Sequence, residues 1–414
     1  MVNTNPQPQP RAQEPKSRGC IVCLKTYDED GDNQQINLTA REIAEIMGIR
    51  PARVYCSDIF NGFAVRGEIS EECVQRLREA DILVDIEKDF EAHAVPESSW
   101  HHIFSPPEET RPWWTERIGL YACETAGISA DQEEEEQKGG ATEKRYAGED
   151  VDVFILDTGV EKSHPYLNVV ETRSFLDDEP ETDDLAGHGT QCAGIIGARD
   201  RGWKKDEHID VVGIAPNVCV HGFKVLGKDG SGGFSDIVSA VEEVAKYKRE
   251  NPNKRVLVNM SLGGYVGTPF YTVLDREIAR LVEKRSVPVV VAAGNDGQDC
   301  SHHSPAHTRE AITVGCFDQQ DVFSRFSNYG KDVDILAPGN DIRTSTINGG
   351  VDTVSGTSFA CPMVCGAATL LLAKESTKVL SPQQVQGQLI SLCEKGIKKV
   401  PAGTANLVLQ IQEV

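Results

Sequence analysis

From Val151 onward the chain repeats one pattern, an uninterrupted apolar run followed by a stretch with helical spacing. The runs are VDVFILD, VCVHGFKVL, RVLVNMSL, VPVVVAAGN, AITVGCF and VDILAPG. A strand with one wet face alternates apolar and polar residues, whereas a strand apolar throughout is buried on both faces. Helical stretches lie between the runs. SDIVSAVEEVAKYKRE carries Ser235 as its expected N-cap, VLDREIARLVEKR follows, and a late helix opens on Ser381-Pro382 as N-cap and first-turn proline. Strand and helix in alternation specify a mostly parallel sheet covered on both faces, a three-layer α/β domain over residues 151–414. In such sheets functional groups gather in the loops at the carboxyl ends of the strands.

The N-terminal part obeys a different rule. CIVCLKTY is a strand, TAREIAEIMG a helix with a Thr39/Glu42 capping box, and ARVYCSDIFNGFAVRGEI a strand pair broken at Asn61-Gly62. SEECVQRLREAD is a helix capped by Ser70, and ILVDIEKD a last strand. The order β-α-β-β-α-β over residues 18–92 predicts a ferredoxin-like α+β domain. Cys20 and Cys23 form a CxxC within its first strand, where residues three apart face opposite ways. No second pair completes a zinc site, so both thiols are expected in the core.

Residues 1–17 are rich in Pro and Gln and predict a disordered tail. Residues 93–150 lose periodicity, and DQEEEEQKGGATEKR within them reads as a solvated acidic loop or linker. The net charge of −22 opposes a nucleic acid or an anionic membrane as partner. No run approaches the length that spans a bilayer. The N-terminus has no apolar core of a secretory signal, so the sequence alone points inside the cell and its 12 cysteines are expected to be reduced.

Four residues fall at junctions between elements of the α/β domain. Asp157 ends VDVFILD, His188 opens a helix in AGHGTQCAGIIG, Asn295 ends VPVVVAAGND, and Ser358 stands at a helix start in SGTSFACP. Each has an ordinary explanation. An acid can cap a turn, a histidine can fill a core, an asparagine suits a left-handed turn, and a serine caps helices. Together they supply a nucleophile, a general base, an acid to orient the base, and an oxyanion donor. The order Asp, His, Ser along the chain is one of the three known for this set of groups.

FILDTGV, GHGTQCAGIIG, VVVAAGND and GTSFACP resemble the four signature blocks of the subtilisin-like serine proteases, nearest the proteinase K-like group. The resemblance runs from about residue 113 to the C-terminus through VNMSLGG, FSNYGKDVDILAPG and PAGTANLVL. It implies a serine endopeptidase acting through an acyl-enzyme, with Ser358 as nucleophile, His188 as base, Asp157 orienting it, and Asn295 in the oxyanion hole. It implies that extended substrate pairs with Ser261, Leu262 and Gly263 on one side and with Gly232 on the other. FNGFAVRGEISEECVQRLREADILVDIEKD is similar to the second half of the family's propeptide, so residues 18–92 would be an intramolecular inhibitor removed between about Phe90 and Trp114. The partners implied are polypeptide substrates and the chain's own propeptide, and a monomer is expected. No cofactor is needed for the chemistry. A structural calcium is a weaker implication, on Asp334 with the carbonyls of Arg309 and Ala311. The family resemblance implies secretion. A subtilase-fold binding protein, non-catalytic or permanently inhibited, is the alternative.

Three positions depart from the common pattern. Gln191 replaces a frequent histidine, Cys361 a threonine and Cys365 an alanine. With Cys192, which matches a free cysteine of the proteinase K-like group, they suggest a thiol-lined wall behind the triad. The simpler expectation is that these cysteines act as small hydrophobes. Inactivation by mercurials would mark them as a functional liability.

Overall fold

The computed structural model describes residues 16–25, 39–57, 60–94, 112–120, 147–199, 211–267, 269–375 and 379–412. The tail, the acidic run and most of the expected processing window lie outside these residues. In the N-terminal zone β1 (Ser17–Leu24), α1 (Ala40–Ile46), β2 (Arg53–Cys56), β3 (Asn61–Arg66), α2 (Glu71–Glu79) and β4 (Leu83–Ala94) follow one another. The strands pair antiparallel in the order β2-β3-β1-β4. Thr39 and Glu42 form the expected capping box on α1, and Ser70 caps α2 through the backbone N–H of Cys73. Cys20 and Cys23 point to opposite faces, Cys20 into this domain's own core and Cys23 into a second core shared with the α/β domain.

One detail of the sequence reading is corrected. Ser57 N–H donates to Phe60 O at 2.9 Å, and Asn61-Gly62 already belong to β3. Asn61 is held by tertiary bonds, accepting from Ala40 N–H at 3.2 Å and donating to Lys25 O at 3.0 Å. Gly62 is required by close approach, because a Cβ there would lie 2.3 Å from Val22 O. Asn-Gly is thus a packing feature here, not a turn.

After α3 (Trp113–Arg117) come β5 (Val151–Asp157), β6 (Val169–Ser174), α4 (His188–Gly197), β7 (Cys219–Lys224) and β8 (Ser231–Gly233). Next are α5 (Phe234–Glu250), β9 (Arg255–Met260), β10 (Leu262–Tyr265), α6 (Val273–Arg285), β11 (Val289–Ala292) and β12 (His303–Ser304). The chain ends with β13 (Ile312–Phe317), β14 (Ile335–Pro338), the hairpin β15 (Ile342–Thr346) and β16 (Gly350–Val354), α7 (Thr357–Lys374) and α8 (Pro382–Leu392). A parallel sheet runs β14-β13-β11-β9-β5-β7-β6. The six apolar runs form six of its seven strands. The seventh, β6, escaped the sequence reading because VVETRS is an edge strand with little buried surface.

The three layers show in the side chains of a single strand. Val151, Val153 and Ile155 of β5 join the core under α4, α7 and α8, while Phe154 and Leu156 join the core under α5 and α6. α7 is apolar on all sides. By length and composition it could cross a membrane, yet 94% of it is buried within the protein. Sheet on one side and helices on the other explain why it tolerates no polar face.

β4 outruns its sequence prediction. Its last residues leave the N-terminal sheet and enter the α/β domain, where Glu91 to His93 pair with β8 and His93 to Ala94 with β10, both antiparallel. One antiparallel path therefore continues β2-β3-β1-β4-β10-β12 across both domains. Two carboxylates on one face of β4 fix the docking. Glu87 accepts from Val273 N–H at 2.7 Å and Asp89 from Ser235 N–H at 2.9 Å, so each caps the N-terminus of a different helix. Ser235 is accordingly not the N-cap of α5. The helix begins one residue earlier, behind Gly233, and the Ser235 hydroxyl donates to Asp89 at 2.7 Å. Ser381 does cap α8, with Pro382 in its first turn.

Candidate active site

Asp157, fully buried, closes β5 at the carboxyl edge of the sheet. Its Oδ1 accepts the backbone N–H of Thr158 at 2.7 Å and lies 2.7 Å from His188 Nδ1. A carboxylate can only accept, so Nδ1 carries the proton and Nε2 presents its lone pair. His188 is the first residue of α4, entered through Gly187 with φ of 94°, a left-handed turn that favours glycine. Gly189 allows α4 to approach β5, since a Cβ on it would stand 2.0 Å from Gly159 O.

Ser358 is buried in the first turn of α7. Its Oγ lies 3.2 Å from Ser261 O, and its carbonyl accepts from Ser261 Oγ at 2.8 Å. The helix of His188 packs beside it: the His188 ring contacts Phe359 at 5.5 Å between centroids, and Cys192 Sγ reaches Ser358 O at 3.5 Å. Asn295 faces the same helix start. Its Oδ1 accepts both the N–H and the hydroxyl of Thr357, each at 2.9 Å, which sets the Nδ2 group on the other side of the amide. Gly356 leaves room for that group, because a Cβ there would lie 2.9 Å from Asn295 Nδ2.

The four residues anticipated as a substrate cradle lie on two facing edges. Leu262 pairs with Ala94, Gly263 with His93, and Gly232 with Ala92, while Ser261 precedes β10 and touches Ser358. The end of β4 lies between these edges.

Sequence reasoning passed over Asp184. This buried carboxylate accepts from Thr158 Oγ1 at 2.8 Å, Ala186 N–H at 3.0 Å and Gly187 N–H at 2.7 Å through Oδ1. Its Oδ2 accepts from the N–H and hydroxyl of Thr190 at 2.9 and 2.8 Å. An acid shortly before a predicted helix start was the available signal.

The thiols behind the site are core groups. Cys192, Cys361 and Cys365 are buried, and burial pushes all three thiols up, away from the reactive thiolate. Cys361 Sγ contacts Asn259 Oδ1 at 3.3 Å, and Gln191 sits buried with its carbonyl accepting from Thr344. Asp334 lies apart from these groups. One of its oxygens accepts Thr313 N–H at 2.9 Å, and burial pushes its carboxyl up to about 6. A cation beside it would offset that burial, which suits the anticipated calcium ligand.

The model of the subtilase family matches residues 148–404. The chain is 34% identical over 369 residues to alkaline serine protease ver112 of Corniculantispora psalliotae, covering 88% of this chain and 84% of that protein. It is 32% identical over 362 residues to proteinase R of Parengyodontium album, covering 85% and 80%. A solved cold-adapted subtilisin-like serine proteinase superposes with a TM-score of 0.59 at 31% identity, over 73% of this chain and 98% of that one. The chain belongs to the subtilase family and is a subtilisin-like serine protease of the proteinase K-like kind.

Proposed function

We propose that the chain is an endopeptidase using Asp157, His188 and Ser358, made as a zymogen whose N-terminal domain, residues 18–92, blocks its own cleft. The observation that carries the reading is the 2.7 Å pairing of Asp157 with His188 Nδ1 beside the helix that begins at Ser358. Ser358 Oγ attacks the peptide carbonyl while its proton passes to His188 Nε2. Asn295 Nδ2 and the Ser358 backbone N–H receive the oxyanion, and Asp157 stabilises the imidazolium. His188 returns the proton to the leaving amine as the C–N bond breaks, leaving an acyl-serine. Water, deprotonated by the same histidine, then releases the acid and restores the hydroxyl.

Main-chain pairing with Leu262, Gly263 and Gly232 would bind extended polypeptide with little sequence choice. The end of β4 on those same edges supports autoinhibition, as does a relative whose match extends beyond the α/β domain. No cofactor enters the chemistry. Asp334 with the carbonyls of Arg309 and Ala311 would hold a structural calcium. Two relatives, the cuticle-degrading protease of Metarhizium anisopliae and alkaline serine exoprotease A of Vibrio alginolyticus, favour work outside the cell.

The test is incubation of the purified chain beside Ser358→Ala. Cleavage between residues 90 and 114 in the first alone supports the reading, and a fluorophosphonate that fails to label Ser358 even after the N-terminal domain is removed overturns it. The same β4 pairing favours one second reading, a chain that stays inhibited. Labelling only after the N-terminal domain is degraded by an added protease would identify that state.

A further inference from the structure

We infer that Asp184 is a positioning residue for the peptidase reaction, a second buried carboxylate that holds the base in register with its orienting acid. The inference rests on the triad assignment above and assigns a role outside it.

Asp184 lies in the loop between β6 and α4, and four of its five hydrogen bonds land on the segments that carry Asp157 and His188. Three go to the α4 side: Oδ1 accepts from the Gly187 N–H, the residue immediately before His188, and Oδ2 accepts twice from Thr190, two residues after it. One goes to Ala186 in the loop itself. The fifth goes to the β5 side, where Thr158 Oγ1 donates to Oδ1 at 2.8 Å. Thr158 is the joint of the arrangement. Its backbone N–H donates to Asp157 Oδ1, its hydroxyl donates to Asp184, and the same hydroxyl accepts from Gly189 N–H at 3.0 Å. His188 is therefore bracketed on both sides, Gly187 and Thr190 by the carboxylate and Gly189 by the threonine. The side-chain bond tying the end of β5 to this carboxylate stands one residue from the orienting acid.

A cap for α4 alone would not need this geometry. Gly187 is the N-cap and offers no side chain, so the nearest acceptor comes from three residues upstream and spans to the other element. Asp184 supplies the missing acceptors from behind. It also places a second buried carboxylate in the loop that leads into His188, while Asp157 Oδ1 is engaged by Thr158 and His188. Charge and geometry act in one direction. The bracket fixes the Nδ1 side of the ring against Asp157, and the extra charge favours the imidazolium that forms during acyl transfer.

Two variants separate positioning from plain stability. In Asp184→Asn one oxygen is replaced by an NH₂ donor facing either Thr158 or Thr190, so half the bracket and the charge are lost. In Thr158→Val the link to β5 is cut while the charge stays. With a chromogenic peptide, Asp184→Asn is expected to lose on the order of 10- to 100-fold in kcat with KM nearly unchanged. The acidic limb of its kcat/KM profile is expected to move to lower pH by about half to one unit, the sign of removing a negative charge near a group that becomes cationic. Thr158→Val is expected to lower kcat without moving that limb, and Asp184→Glu to restore the limb but not the full kcat. Ser358→Ala is measured alongside. If it retains activity, the triad reading itself has failed, which is a different outcome from failure here. If Asp184→Asn folds, as judged by its thermal transition and fluorophosphonate labelling, and keeps both kcat and the acidic limb of the parent, the inference is overturned. If it does not fold, Thr158→Val decides by its kcat alone.

Discussion

Asn295 and Thr357 lock one another: the amide oxygen of Asn295 accepts the backbone N–H and the hydroxyl of Thr357, both at 2.9 Å. Gly294 N–H in turn donates to the Thr357 hydroxyl at 3.1 Å. The amide is thereby fixed before any substrate arrives, which suits the oxyanion role proposed for Asn295. Asn295→Ala is expected to reduce kcat by about 10²- to 10³-fold with little change in KM. Steady-state kinetics on a peptide substrate decides, and an effect confined to KM would remove Asn295 from the oxyanion site.

A half-buried carboxyl and a buried one make stability depend on pH. Burial pushes Glu242 of α5 up to about 7 and Glu277 of α6 up to about 8, from an ordinary 4.5. A carboxyl raised on folding contributes its stability below the unfolded value and loses it as pH climbs through the folded one. The inactive Ser358→Ala chain should thus lose stability as pH rises from about 4.5 to 8. Thermal melts across that range test it. Glu242→Gln, neutral throughout, should flatten the profile, and an unchanged slope would discard the assignment.

Docking of the N-terminal domain depends on Glu87 and Asp89. Glu87 also pairs with Arg276, and Asp89 holds both the backbone and the hydroxyl of Ser235. Replacing both by Ala strips two helix caps, each worth about 1 kcal/mol or more. Earlier onset of activity during self-processing is expected, read as a shorter lag with a chromogenic peptide. A lag equal to the parent's would show that docking relies on the apolar contacts alone.

The thiols should be silent toward alkylation. Cys192, Cys361 and Cys365 are buried with raised thiols, so iodoacetamide near neutral pH is expected to leave activity intact and these peptides unlabelled. Peptide mass spectrometry reads this directly. Loss of activity that tracks labelling of Cys192 would restore the idea of a thiol-sensitive wall.

Calcium should raise the melting temperature by mass action on the native state. Asp334→Asn is expected to abolish that rise while leaving kcat unaltered, because Asp334 touches none of the groups assigned to the reaction. Equal calcium response in parent and variant would move the ion elsewhere.

The sheet was legible because burial on both faces leaves unbroken apolar runs, and the junction residues stood out because small residues flank them. β6 was not, since an edge strand such as VVETRS buries too little to leave that mark. Asn61-Gly62 misled for a different reason. The local signal for a turn is the same as the signal for a close contact, and only the neighbouring Val22 carbonyl separates them. Asp184 lay in a loop without periodicity, and its meaning is set by Thr158 and Thr190, residues brought to it by tertiary structure. The extra length of β4 was hidden likewise, because its last residues pair with strands far along the chain.

Those last residues of β4 occupy their two edges as part of the same molecule. A tethered strand competes at an effective concentration on the order of millimolar, whereas a severed one is present only at the concentration of the protein itself. Cutting the connection would change no contact in the cleft, yet it would convert occupancy from a property of the fold into a property of the surrounding volume. In a confined space the freed domain would keep rebinding; in an open one, dilution alone would complete the activation.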